Sequence, residues 1–63
     1  MNTVTASKPV GTFGYAFETF SQKFVPAIVI ETPAKLVALG YISVTVKTAM
    51  GVFNTAVKTE DFV

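Results

Sequence analysis

The sequence predicts an all-α chain with a short amphipathic helix over residues 10–24, a proline-flanked connector and a long, mostly apolar helix over 33–58. Three observations carry that expectation. Phe13, Phe17, Phe20 and Phe24 recur at i, i+4, i+7 and i+11, which at 100° per residue confines them to a stripe about 60° wide. Leu39, Ile42, Val46, Met50, Phe53 and Val57 keep the same kind of spacing further on. Between them, Thr32-Pro33 combines an N-cap residue with a proline at the first helical position, where its missing N–H costs nothing.

Residues 1–8 are polar and small, with Thr3, Thr5 and Ser7, and read as an extended arm punctuated by Pro9 and Gly11. They lack the apolar core of a secretory signal. In the first helix, Tyr15, Glu18, Thr19 and Gln22 lie opposite the phenylalanines. A helix of about three turns is marginal alone in water, so the phenylalanine stripe is expected to be a face that docks on a partner. In the connector, Pro26 disfavours helix at Val25, and Ala27-Ile28-Val29-Ile30 keeps it apolar.

The long helix is apolar on most sides, apart from a strip formed by Ser43, Lys47, Asn54 and Lys58, with Gly40 and Gly51 at its edge. Helices apolar on most sides are buried on most sides. Gly40, Ser43, Lys47, Gly51 and Asn54 are therefore the expected helix-packing strip. Small residues allow helices to approach closely, and a shared strip gives Lys47 and Asn54 protein rather than lipid to face. Residues 59–63 read as a short acidic tail containing Glu60 and Asp61.

One window argues otherwise. Tyr41 to Thr48 reads YISVTVKT, in which Ile42, Val44 and Val46 alternate with Ser43, Thr45 and Lys47. Period-2 alternation rich in β-branched residues is a strand signal. The alternative is thus a β-hairpin around 36–57, in which Gly40 and Gly51 are the turns bounding this strand.

Composition limits the function. Sixty-three residues make one small subunit, and a domain of that size is marginal without a disulfide, a metal or a partner. Cysteine and histidine are both absent, which removes disulfides, thiolate metal sites and the usual general base at neutral pH. Hydrophobic residues make up 51% of the chain and charged residues 14%, against about 25% charged in an average domain. The lysines, Lys8, Lys23, Lys35, Lys47 and Lys58, are evenly spread, and there is no arginine to grip phosphate. Nucleic-acid binding through a basic patch is not expected.

Catalysis is not expected either. Ser43 and Lys47 stand one helical turn apart, but a polar strip explains them better than a serine–lysine pair. Gly11-Thr12-Phe13-Gly14 is a GxxG without basic neighbours. No cofactor is implied. Between Lys35 and Lys58, Lys47 is the one charge, and as a helix those residues would span about 33 Å, long enough for a hydrocarbon core of about 30 Å.

The expected function is a non-catalytic structural subunit packing against larger protein subunits or copies of itself. An accessory subunit of a membrane complex, crossing the bilayer with its long helix, leads. Coat, pilin-like or capsid-associated subunits of a virion or filament are the alternative, as is a regulatory micro-protein binding through its phenylalanine face. In length and in one dominant apolar helix the chain resembles the small helical coat proteins of filamentous phages. It departs from them in ending Glu60-Asp61 where they are basic.

Overall fold

The computed structural model describes residues 8–63, and its elements are strands. β1 (Phe13–Glu18), β2 (Lys23–Val29), β3 (Tyr41–Thr48) and β4 (Gly51–Lys58) form one antiparallel sheet in the order β1-β2-β3-β4. The only α-helix among the described residues, α1 (Ala34–Ala38), connects β2 to β3, and a 3-10 turn over Thr59–Asp61 follows β4. The all-α expectation is overturned, and the β-hairpin alternative fits.

Alternation explains the outcome. Ile42, Val44 and Val46 are buried, while Tyr41, Ser43 and Thr45 between them are half-buried. β-Branched side chains at that period suit a pleated surface and lose rotamer freedom in a helix. Gly40 and Gly51, with φ of +86° and +132°, bound the strand as the hairpin alternative required. The helix begins one residue later than expected, at Ala34 with Pro33 as its N-cap, and it ends at Ala38, before Gly40. Thr32 does not cap it. The Thr32 hydroxyl instead accepts the Ser43 N–H at 2.8 Å and donates to the Ile30 carbonyl at 3.3 Å, tying the connector to β3.

The expected helix over 10–24 is the β1–β2 hairpin, in which Phe17 faces Phe24 and Glu18 faces Lys23. No helix among the described residues is long and apolar enough to cross a membrane, so the spanning helix over 33–58 is withdrawn. The resemblance to helical phage coats, which rested on that helix, falls with it. Apart from Lys8, the arm expected over residues 1–8 lies outside the described residues.

The sheet curls until residues 62–63 reach the outer edge of β1. Tyr15 N–H donates to the Val63 carbonyl and Val63 N–H to the Tyr15 carbonyl, both at 2.8 Å. Phe62 is thereby drawn into the core with Ala16, Ala27, Val29, Ile42, Val44 and Val46. What read as an acidic tail is a 3-10 turn leading to a core phenylalanine.

Candidate interaction surface

The register divides the sheet into two faces. Gly14 and Ala16 of β1, Ala27 and Val29 of β2, and Ile42, Val44 and Val46 of β3 point inward. Their sequence neighbours point outward: Phe13, Tyr15 and Phe17 on β1, and Phe24, Pro26 and Ile28 on β2. Cross-strand partners on that outer face are Phe13 with Ile28, Tyr15 with Pro26 and Phe17 with Phe24. The Phe17 and Phe24 rings meet edge to face with centroids 5.5 Å apart, and Phe13 meets Tyr15 the same way at 6.0 Å.

Three of the four phenylalanines assigned to a docking face therefore do share a face, but by strand pairing rather than by helical period. Phe20 does not join them. It lies in the β1–β2 turn and is 91% exposed. Tyr15 and Ile28, placed elsewhere by the helical reading, complete the patch. The missed signal was the alternation of Phe13, Tyr15 and Phe17 at period 2.

The strip of Gly40, Ser43, Lys47, Gly51 and Asn54 is not a helix-packing strip. Gly40 and Gly51 are turn residues with positive φ. Ser43, Lys47 and Asn54 lie on the outer face of β3 and β4, opposite Ala56, Val52 and Thr45 respectively. Thr45 Oγ1 donates to Asn54 Oδ1 at 2.7 Å. The outer face thus has an aromatic half over β1–β2 and a hydroxyl and amide half over β3–β4. Its charged strand residues are Lys47 and Lys58; it carries no carboxylate.

On the inner side, a cleft of about 740 Å³ opens between the β1–β2 tip and the β3–β4 hairpin, lined by Phe20, Val25, Val46, Met50, Phe53 and Val57 among others. Pro26 accounts for its opening. The β2–β3 ladder runs from Val29↔Val44 to Ala27↔Val46 and stops there. At the next position Pro26 would face Lys47, and it has no N–H to donate.

Glu18 borders this cleft with its carboxylate already engaged. It accepts the Phe20 N–H at 2.9 Å, the Ser21 N–H at 2.8 Å and the Ser21 hydroxyl at 2.6 Å. The Ser21 hydroxyl and then the Ser21 amide hold its pKa below the ordinary carboxylate value; desolvation opposes them, and the Phe20 amide adds the smallest lowering effect. A carboxylate stabilised as an anion and consumed by a turn is a poor general base. Among the described residues no group of acidic, histidine or cysteine side chains is placed to hold a metal ion.

Fold and surface together define a small antiparallel β-sheet domain with an exposed aromatic face. No known protein family, curated protein or solved structure matches the chain.

Proposed function

We propose that this chain is a non-catalytic structural subunit that binds a larger protein partner through the outer face of β1–β2. The observation carrying this reading is the imbalance between core and surface. The large hydrophobic side chains buried are Val29, Ile42, Val44, Val46 and Phe62, whereas Phe13, Tyr15, Phe24 and Ile28 stand 64%, 47%, 51% and 40% exposed on one contiguous patch. Contiguous apolar patches of this kind mark interaction sites, while scattered exposed residues do not. Aromatic anchors bring much contact area at little conformational cost.

The setting of the patch describes its partner. Lys47 and Lys58 are the charges on this face, so a fitting partner presents an apolar pocket flanked by carboxylates on the β3–β4 side. Two lysines without arginine supply little phosphate affinity, which favours protein over nucleic acid.

Retrieval of the full chain from its native source, as wild type and as a Phe13→Ser, Phe24→Ser double variant, tests this proposal. Both side chains are at least half exposed, so the variant keeps the wild-type circular dichroism spectrum. The expected result is loss of a stoichiometric partner from the variant alone. Unchanged recovery of the same partner by the folded variant contradicts it.

A further inference from the structure

The aromatic face leaves another unpaired feature at the opposite side of the sheet. β4 is the last strand in the order β1-β2-β3-β4, and among the described residues nothing pairs with its outer edge. By contrast, the outer edge of β1 is covered by residues 62–63. We infer that the β4 edge pairs with the β4 edge of a second copy of this chain, antiparallel and about a two-fold axis at Thr55.

The backbone directions follow from the ladder. Ile30 N–H donates to the Ser43 carbonyl, so odd-numbered residues of β3 bond toward β2 and even-numbered ones toward β4. Their partners Gly51, Phe53, Thr55 and Val57 bond back toward β3. Val52, Asn54, Ala56 and Lys58 therefore present their amide groups to the outside. Such a row is a template for another strand. Proteins that keep an edge free blunt it with proline, a bulge or an inward charge. β4 reads GVFNTAVK, with an unbroken register from Thr48↔Gly51 to Tyr41↔Lys58 and a single charge, Lys58, at its end.

Self-complementarity selects a copy as the occupant. Antiparallel pairing sets outward-bonding residues opposite one another. With the axis at Thr55, Val52 faces Lys58 of the partner subunit and Asn54 faces Ala56 of the partner subunit. On the inner face, Phe53, 49% exposed in the single chain, falls beside Val57 of the partner subunit. The two Lys58 ammonium groups then lie at opposite ends of the ladder. An axis at Asn54 would set Phe53 against Thr55 and Val57 against Gly51, and would leave Lys58 opposite the turn residue Met50. The pairing requires nothing of the aromatic face, which lies over β1–β2, so the two proposals fail separately.

The chain contains no cysteine, which permits a clean cross-linking test. Non-hydrogen-bonded antiparallel pairs hold Cα atoms about 4.5 Å apart, within disulfide reach. Thr55→Cys is expected to oxidise to a covalent dimer at least about tenfold faster than Phe20→Cys, a site on the exposed turn. In sedimentation velocity, wild type is expected at twice the 6.7 kDa chain mass. Thr55→Lys, which opposes two ammonium groups at the axis, is expected to be a monomer with an unchanged circular dichroism spectrum. The proposal is overturned by a wild-type monomer up to about 1 mM, whether the edge stays free or residues 1–7 occupy it. Thr55→Cys cross-linking no faster than Phe20→Cys also overturns it, including when Thr55→Lys fails to fold. A folded Thr55→Lys that remains dimeric does the same.

Discussion

An added methyl group at Gly14 would land on the Val63 carbonyl oxygen and within 2.8 Å of the Phe62 ring. Gly14 thus makes the space through which Phe62 enters the core. Gly14→Ala is expected to cost about 1–3 kcal/mol by overpacking, read as a fall in the denaturant midpoint. Phe62→Ala removes the ring itself, at about 3–5 kcal/mol. A single core in a chain this short rarely supplies more than about 3–5 kcal/mol, so loss of the cooperative unfolding transition is expected. A Phe62→Ala chain as stable as wild type would contradict this account of sheet closure.

Glu18 supplies a pH-dependent contribution whose sign is fixed by its lowered pKa. A depressed folded-state value stabilises the fold above the carboxylate's ordinary 4.5. That contribution is lost as pH falls through the lower folded value. In an NMR titration, the Phe20 and Ser21 amide signals are expected to move with a midpoint below 4.5, and Glu18→Gln to abolish the movement. A midpoint at or above the ordinary value would show that the turn hydrogen bonds do not hold the anion. Gln22, in the same turn, has a φ of +56°. That conformation costs a side-chain-bearing residue about 1 kcal/mol. Gln22→Gly is expected to raise the thermal midpoint by roughly 4–8 °C.

At the level of elements, Pro26 controls how far β2 stays attached to β3. Pro26→Val restores an N–H opposite Lys47 and is expected to extend the ladder by one step, adding about 0.5–1.5 kcal/mol. The amide gained at position 26 would then be protected from hydrogen exchange and the inner cleft would narrow. An unprotected amide at that position would mean that the tip splays for another reason.

The same elements show why a helical reading fits the sequence. On one face of a strand, residues recur at i+4, as Ile42 and Val46 do in β3 and Phe53 and Val57 do in β4. The two-residue turn Ala49-Met50 flips parity, so the inner face is even-numbered in β3 and odd-numbered in β4. The step from Val46 to Phe53 is then seven residues. A hairpin folded this way writes i, i+4, i+11, i+15, which also fits a helical period. Phe13, Phe17 and Phe24 repeat the ambiguity across the β1–β2 turn. The alternation in YISVTVKT and its bounding glycines are legible in the sequence and mark the strand correctly. A helix start is legible to within one residue, since Pro33 is its N-cap and not its first residue; its stop before Gly40 is the signal that a long-helix reading overrides. The closure by Phe62 depends on contacts between distant residues, which no local pattern encodes.

For the whole molecule, the governing quantity is apolar surface left in water. Seven hydrophobic residues are buried, two of them alanines, while eleven large hydrophobics are exposed among the described residues. A sheet with so small a core, and with an edge uncovered among the described residues, gains most by covering that surface, on the aromatic face, along β4, or both. Mass action turns this into an observable, because a fold stabilised by association becomes more stable with concentration.

The most direct test is therefore the thermal midpoint of the purified chain in plain buffer, followed by far-UV circular dichroism over a wide range of chain concentration. The account predicts a β-sheet spectrum and a midpoint that climbs steadily with concentration. A cooperative transition whose midpoint is the same at every concentration, in a chain that sediments as a monomer throughout, would contradict it.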